Sequence, residues 1–180
     1  MPEMNLRTSR LVLRDFVDSD VDALLAYESD PRYLRFYPWE TRTREGVATL
    51  VNRFIQWQNE QPRTRFQFAM VPRKRRDAIG TCGIRITSVD HREAEFWCVL
   101  NPECWGQGFA AEAGRALIEY GFTAISLHRI WSECIAENIA ARRLVERLGM
   151  REEGVLRART WIKERWWDTV IYAILSDEWK

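Results

Sequence analysis

Residues 98–113 read CVLNPECWGQGFAAEA, and this stretch decides how the rest of the chain is interpreted. The apolar run that ends at Leu100 predicts a strand, and Pro102 ends it because proline cannot donate to a strand ladder. Gly106 and Gly108 then lead into a pattern typical of an amphipathic helix. A strand, a glycine loop and a helix N-terminus present free backbone N–H groups beside the positive end of the helix dipole. The stretch therefore predicts a phosphate-binding site.

The bulk composition limits the class of protein. The chain has 180 residues, of which 46% are hydrophobic and 29% charged, and its net charge is +1. These values predict a single globular domain over residues 1–180. No apolar run reaches the ~20 residues of a membrane span, and the N-terminus lacks the regions of a secretory signal, so we expect a cytoplasmic protein without a membrane partner. The small net charge argues against nucleic acid as a partner.

The cysteines favour free thiols over a metal site or a disulfide framework. Cys82, Cys98, Cys104 and Cys134 show no C-x-x-C spacing, and the chain has two histidines that could assist them. Structural zinc sites and disulfide-stapled domains both depend on clustered cysteines. We therefore expect no metal and four free, at least partly buried thiols.

Hydrophobic periodicity predicts an α+β fold. Strands are expected at residues 6–16, 65–71, 78–89, 93–100, 129–136, 151–162 and 167–175. Helices are expected at residues 21–28, from a cap at Thr43 to about residue 58, at residues 109–125, and from a cap at Asn138 to residue 148. The short turns between the strands from residue 65 to residue 100 predict an antiparallel meander.

The glycine loop taken alone also matches a dinucleotide-binding motif. Residues 106–111 satisfy G-x-G-x-x-G/A, and Glu133 lies about 20 residues further on. A dinucleotide fold, however, places this motif directly after the first strand of a parallel sheet. Here the four residues 102–105 stand between Asn101, where the strand stops, and Gly106, and hairpin-connected strands precede it. Nicotinamide binding is therefore the disfavoured alternative.

Two motifs together resemble a known family. Residues 105–113 read WGQGFAAEA, and residues 138–150 read NIAARRLVERLGM. They are similar, also in their spacing, to the W-G-x-G-[YF]-A-x-E-A and N-x-x-[SA]-x-x-[VL]-x-E-K-L-G-F motifs of the GCN5-related N-acetyltransferases (GNAT), in the ribosomal-protein N-terminal acetyltransferase branch of the RimJ/RimL type. The resemblance implies the GNAT fold, a central mixed, mostly antiparallel sheet of about seven strands flanked by about four helices.

The same resemblance implies the activity and the partners. It predicts an N-acetyltransferase that transfers the acetyl group of acetyl-CoA, its co-substrate, to a primary amine by direct attack in a ternary complex. The acceptor is a protein N-terminal α-amine or a small-molecule amine, and the chain acts as a monomer or a homodimer. The alternative is a CoA-binding protein of the same fold with weak or lost catalysis, because many members carry a Tyr general acid where this sequence has Val145.

The resemblance also implies which residues hold the co-substrate. Main-chain N–H groups of the loop would bind the pyrophosphate, namely those of Gly106, Gln107, Gly108, Phe109, Ala110 and Ala111. Main-chain groups near Leu100 would pair with the pantetheine amides like an added strand. Asn138 would hydrogen-bond the pantetheine arm or a water, although an ordinary helix N-cap explains this residue equally well.

Catalytic and acceptor residues are the least determined part of the prediction. Glu95 is the first candidate for the general base and Glu133 the second, with Asn138 beside them; an ion pair with an arginine is the alternative for each carboxylate. Glu112 is expected to offset the helix dipole in the first turn of its helix. The acceptor cleft is expected to be walled by four side chains, those of Arg35, Tyr37, Trp39 and Trp97.

Overall fold

The fold is built on one eight-stranded sheet. The structure is a computed structural model, and it describes residues 4–180. The strands are β1 (Asn5–Arg7), β2 (Leu11–Arg14), β3 (Arg65–Pro72), β4 (Gly80–Ser88), β5 (Glu93–Leu100), β6 (Arg129–Ile135), β7 (Arg151–Ile162) and β8 (Arg165–Leu175). Their order is β1-β2-β3-β4-β5-β6-β8-β7. All neighbours are antiparallel except β5 and β6, which are parallel. The predicted mixed, mostly antiparallel sheet is confirmed, with eight strands rather than about seven.

Five helices flank this sheet in the described residues. They are α1 (Val21–Glu28), α2 (Pro31–Leu34), α3 (Arg44–Gln58), α4 (Phe109–Thr123) and α5 (Ile139–Arg147). The two predicted caps form: the Thr43 hydroxyl accepts from the N–H of Gly46, and the Asn138 side chain accepts from the N–H of Ala141. Because these caps satisfy donors that have no partner inside the helix, they define where α3 and α5 begin.

One expectation about local structure is wrong, and one short helix was not predicted. Residues 6–16 form not one strand but the β1–β2 hairpin, in which the N–H of Thr8 donates to the carbonyl of Leu11 at 3.0 Å. The alternation of apolar residues continues on both sides of the turn, so periodicity alone does not reveal it. After α1 ends at Glu28, Pro31 begins α2, a short helix that the sequence prediction did not contain, with Asp30 as the N-cap; proline is tolerated in a first helical turn.

Two apolar cores lie on opposite faces of the sheet. The first core lies under α4 and α5 and contains Phe96 and Leu117. The second lies under α1 and α3 and contains Val51. Because successive strand residues point to opposite faces, Phe96 of β5 joins the first core whereas Val99 packs against the second. Strand β5 therefore separates two environments along its length.

The parallel pair β5–β6 diverges soon after it begins. Residues 93–95 of β5 pair with residues 129–131 of β6. Beyond this point β5 continues along β4, and β6 continues along β8. We call the resulting opening, between residues 96–100 of β5 and residues 132–135 of β6, the β5–β6 gap. Among residues 4–180, the edge of β5 that faces the gap has no strand partner there.

The helices also bear on the membrane prediction. In residues 4–180, no helix combines the length and the apolar character that crossing a bilayer requires. The expectation that the chain starts without a secretory signal falls in part on residues 1–3, which lie outside the described residues.

Candidate active site

The loop between β5 and α4 has the backbone shape expected of an anion site. Gly106 and Gly108 have φ angles of 73° and 81°, a backbone conformation that residues with a Cβ rarely adopt. Gly108 is the N-cap of α4, and no side chain caps the first turn of this helix. The main-chain N–H groups of residues 109–111 are thus left for another acceptor. The predicted loop residues, including Gln107, lie together at this helix end.

Arg10 reaches this loop from the β1–β2 turn. Its guanidinium donates to the carbonyl oxygen of Gln107 at 2.9 Å and lies 4.5 Å from the ring centroid of Phe109. The side chain is half exposed, so its positive charge also faces solvent next to the loop. The sequence prediction missed Arg10 because it did not contain the hairpin turn that brings this residue to α4.

Glu112 fixes the first turn of α4 to the same hairpin. Its carboxylate accepts from the hydroxyls of Thr8 and Ser9 and from the main-chain N–H and Nε of Arg10, the last two at 2.7 and 2.6 Å. Desolvation raises the pKa of Glu112, but the hydrogen bonds from Thr8, Arg10 and Ser9 together outweigh it and lower this pKa to about 2. Beyond the expected offset of the helix dipole, Glu112 therefore joins two distant segments of the chain.

The edge of β5 presents main-chain groups to the β5–β6 gap. The N–H of Asn101 donates to Ile79 on the β4 side, and hydrogen-bonded pairs alternate along an antiparallel ladder. The main-chain groups of Cys98 and Leu100 consequently point away from β4 and into the gap. The carbonyl of Leu100 already accepts from the indole N–H of Trp105 at 2.9 Å. In this state, one of the groups expected to pair with pantetheine has a partner of its own.

Asn138 lies where β6 passes into α5. Its side-chain oxygen accepts from the N–H of Ala141 at 3.2 Å, which is the N-cap interaction that the sequence offered as the alternative. The residue is half-buried. An amide side chain has donors as well as this oxygen, so the cap does not use all of its hydrogen-bonding capacity.

The two candidate bases differ in their partners. Glu95 forms an ion pair with Arg85 on the neighbouring strand, as the structural alternative predicted. Glu133 is exposed and, among the described residues, has no hydrogen bond or ion pair. Because side chains two residues apart share a face, Glu95 lies on the same face as Trp97. Its partner in the register is Trp131, so Glu133 lies on that face too, one step further into the gap.

A cavity of about 320 Å³ lies between α3 and this face of the sheet. Three of the four predicted acceptor residues line it: Tyr37, Trp39 and Trp97. Tyr37 and Trp39 are stacked, with ring centroids 5.0 Å apart. Arg35 is not among the lining residues. It is exposed, with its guanidinium 5.0 Å from the ring centroid of Phe36, so the structure does not bring it to this cavity.

The cavity also contains a buried ion pair that the sequence prediction missed. Glu28 is 2% exposed and its carboxylate lies 2.7 Å from the guanidinium of Arg42. Burial raises the pKa of Glu28, and the charge and hydrogen bond of Arg42 oppose this rise. The guanidinium of Arg42 in turn lies 4.8 Å from the ring centroid of Trp39. A helix-borne glutamate and a loop arginine 14 residues apart give no signal in the sequence that they meet.

No activated cysteine is present near the gap. Cys98 and Cys134 are free thiols, as predicted, and burial raises their pKa to about 12 and about 11. Because the thiolate is the nucleophilic form, these raised pKa values disfavour both groups as nucleophiles. Val145, which stands where many related proteins have tyrosine, is buried in the first core. In residues 4–180 no cluster of side chains is suited to hold a metal ion.

Comparisons with known proteins agree with this geometry. A family profile described as "Acetyltransferase (GNAT) domain" matches residues 10–151. YnaD of Bacillus subtilis strain 168, described as an uncharacterized N-acetyltransferase, is 33% identical over 176 residues, 98% of this chain and 99% of that protein. A spermidine N(1)-acetyltransferase of Vibrio cholerae is 36% identical over 88 residues, 49% of this chain and 51% of that protein.

A solved structure extends the match to three dimensions. The crystal structure of a GNAT-family acetyltransferase from Bacillus anthracis has a TM-score of 0.85 to this chain at 29% identity, covering 97% of this chain and 99% of that one. The sheet with its diverging parallel pair, the glycine loop and the family profile lead to one conclusion. The chain belongs to the GNAT family of acetyltransferases.

Proposed function

We propose that this protein is an acetyl-CoA-dependent N-acetyltransferase that acetylates a primary amine, with the whole chain acting as one domain. The observation that carries this proposal is the position of the β5–β6 gap. On the edge of β5, the main-chain groups of Cys98 and Leu100 face the gap. On one face of the same strand, the side chains of Trp97 and Val99 line the aromatic cavity. A thioester in the gap and an amine in the cavity would therefore meet beside β5.

The residues around the gap fit acetyl-CoA. The uncapped first turn of α4 offers N–H groups to a pyrophosphate, and glycine at 106 and 108 permits the close approach of the main chain. Arg10, which forms an ion pair with Glu112, also holds the loop through the carbonyl oxygen of Gln107. The unpaired edge of β5 offers hydrogen bonds to an extended arm that carries amides, provided that Trp105 releases the carbonyl of Leu100.

Bound acetyl-CoA supplies the acetyl group as a reactive thioester. The amine nitrogen forms a bond to the carbonyl carbon while the bond from that carbon to sulfur breaks, and the electron pair leaves with sulfur. The amine proton passes to a base, for which Glu133 is better placed than Glu95 because no arginine holds its carboxylate. The thiolate needs little help, because an ordinary thiol has a pKa near ~8.5.

Direct transfer in a ternary complex is favoured over an acyl-cysteine intermediate. The thiols of Cys98 and Cys134 both have raised pKa values and stay protonated. An α-amine, with a pKa near ~8, is partly neutral at physiological pH and is an easier acceptor than lysine, near ~10.4. This difference supports a protein N-terminus, as in the RimJ/RimL branch, or a small α-amine as the acceptor. The cytoplasmic location stays a prediction.

One observation supports a second candidate function. Val145 leaves no tyrosine at the position from which many related enzymes protonate the leaving thiolate, and it is buried. A CoA-binding protein with weak or lost catalysis would tolerate this replacement. The two candidates share the co-substrate site and differ only in turnover.

A thermal-shift comparison tests the co-substrate. Acetyl-CoA at 100 times its dissociation constant should stabilise the protein by ~2.7 kcal/mol and raise its melting temperature, whereas NAD at the same concentration should not. A shift with NAD alone would contradict the proposal.

Turnover is tested separately, by measuring free thiol released from acetyl-CoA with a panel of primary amines. Thiol release that depends on the acceptor supports the transferase. Binding of acetyl-CoA without release for any amine favours the second candidate.

A further inference from the structure

The cavity of about 320 Å³, called the aromatic cavity here, is lined by residues with buried polar atoms that have no hydrogen-bond partner in the described part of the chain. Gln67 is 1% exposed, and its side-chain oxygen has no hydrogen bond, although its nitrogen donates to Thr81. The indole N–H of Trp39 is likewise buried without a partner. Both residues line the cavity. A buried polar atom without a partner is costly, so these two atoms favour a ligand that brings both a donor and an acceptor.

The charges around the cavity do not cancel. Its charged lining residues are Glu28, Arg42 and Arg53. The first two form the buried ion pair, whereas Arg53, among the described residues, has no ion pair or hydrogen bond. The lining thus carries a net charge of one positive unit with Glu28 ionised, and a larger one if Glu28 takes up a proton. A negative group on the ligand is attracted, and a polycation is repelled.

Arg53 reaches the cavity because of its position on α3. Thr49 and Leu50 lie three and four residues after Gly46, Arg53 lies four and three residues after them, and all four residues line the cavity. Arg44, at the start of the same helix, is not among the lining residues and instead forms an ion pair with Asp22. Two exposed arginines on one helix therefore differ in whether they can meet a ligand.

The remaining walls are flat and apolar. The rings of Tyr33 and Tyr37 are stacked at 4.6 Å, and those of Tyr37 and Trp39 at 5.0 Å. Trp97 and Phe54 also line the cavity. Flat rings of this kind pack well against another planar group. The volume of about 320 Å³ is at the small end of the range for ligand pockets.

We propose that the acceptor is a small primary amine that carries a carboxylate on a flat, apolar body, as an aromatic amino acid does, and that polyamines are rejected. The carboxylate would bind Arg53 and the indole N–H of Trp39. A donor on the flat body, such as an indole N–H, would meet the side-chain oxygen of Gln67, and the amine would face β5 and the gap. This inference rests on the proposed function: the acetyl group passes to the amine nitrogen, whose proton is lost, and CoA leaves as the thiol. It separates this chain from its spermidine-acetylating relative.

The test compares acceptors that differ in one group. Tryptophan, tryptamine and spermidine are offered with acetyl-CoA, and free thiol is measured. Because a hydrogen bond between charged groups is among the stronger ones, we expect kcat/KM for tryptophan to exceed that for tryptamine by about tenfold or more. Spermidine should give the lowest value. Equal or higher values for tryptamine or spermidine would overturn the inference while leaving the transferase proposal intact.

Two matched variants assign the preference to the cavity. Arg53→Gln should reduce the tryptophan-to-tryptamine ratio by about tenfold, mainly through KM for tryptophan. Arg44→Gln removes the same charge from the same helix and should leave the ratio unchanged. An unchanged ratio in Arg53→Gln would remove this residue from acceptor recognition and contradict the proposal.

If no acceptor is turned over, equilibrium binding still measures whether the cavity prefers a ligand with a carboxylate. Calorimetric titration of the CoA-saturated protein with tryptophan and with tryptamine measures the preference without chemistry. Tighter binding of tryptophan, weakened in Arg53→Gln, supports recognition of the carboxylate by this cavity even if no turnover is seen. Binding of neither compound, or tighter binding of tryptamine, overturns it.

Discussion

At the scale of single residues, two glutamates that look equivalent in the sequence differ in whether an arginine pairs with them. Glu95 and Glu133 both lie on strands beside the β5–β6 gap and share one face of the sheet. Arg85 holds the first, and the second has no partner among the described residues. The sequence contains both carboxylates but does not reveal which arginine lies within reach of either, because ion pairs depend on the register between strands.

Glu133→Gln should lower kcat by about 10²-fold, because it removes a general base while preserving the shape of the side chain. The dissociation constant for acetyl-CoA should change little, since the carboxylate does not belong to the glycine loop. Steady-state kinetics and calorimetric titration measure the two quantities. Glu95→Gln is the matched comparison, and a larger loss of kcat in Glu95→Gln than in Glu133→Gln would reverse the assignment.

Glu112 should make stability depend on pH in a defined direction. The pKa of its carboxyl is about 2 in the folded protein against an ordinary value of 4.5, so the hydrogen bonds contribute fully above the ordinary value and are lost as pH falls towards 2. Urea unfolding should show that Glu112→Gln lowers the free energy of unfolding at neutral pH. This difference from the wild type should shrink below about pH 4.5.

The control is Glu119→Gln, which changes an exposed carboxylate of the same helix. Its effect on the free energy of unfolding should be small at every pH. A difference between wild type and Glu112→Gln that is constant from pH 7 to about pH 3 would show that the hydrogen bonds do not depend on the charge of Glu112.

At the scale of elements, the glycine loop works through its backbone. Gly108→Val should weaken acetyl-CoA binding by about tenfold or more, since a β-branched residue at a φ of 81° is strained and the first-turn N–H groups would be displaced. Calorimetric titration measures the affinity. Gly154→Val is the control, because a Cβ at Gly154 meets no atom within 4 Å. Unchanged affinity in Gly108→Val would argue against the loop as the pyrophosphate site.

Elements with strong local signals were predictable, and those defined by tertiary contacts were not. The bounds of α1 and β5 agree with the sequence prediction, because periodicity and end signals coincide there. The sequence prediction did not contain the β1–β2 turn, because Thr8 and the residues after it form hydrogen bonds with Glu112, which lies 104 residues from Thr8 along the chain. Glu28 and Gln67 were not predicted to line the cavity for the same reason: the residues that surround them there are distant in sequence.

At the scale of the whole molecule, one sheet lies between the two cores. Its strands β4 and β5 approach each other closely at Gly80. Gly80 of β4 is buried opposite Leu100 of β5, and a Cβ there would lie 2.3 Å from the carbonyl oxygen of Val99. Because the obstacle is main chain, no side-chain rotation relieves it. Gly80→Ala should lower the free energy of unfolding by about 1–3 kcal/mol, as overpacking does in other cores.

Chemical denaturation measures the effect of Gly80→Ala, with Gly154→Ala as the matched control in open space. The control should change the free energy of unfolding by less than about 0.5 kcal/mol, as is usual for surface substitutions. Equal stability of Gly80→Ala and the wild type would mean that β4 and β5 can separate without cost.

Because β5 diverges from β6, hydrogen–deuterium exchange of the β5 amides can report whether a ligand occupies the β5–β6 gap. The amide hydrogens of Cys98 and Leu100 point into the gap, where none of the described strands protects them, whereas those of Trp97 and Val99 point towards β4. In the free protein the first pair should exchange with deuterium much faster than the second. An extended ligand in the gap should slow the first pair and leave the second unchanged, so alternate residues of one strand would report binding without any turnover.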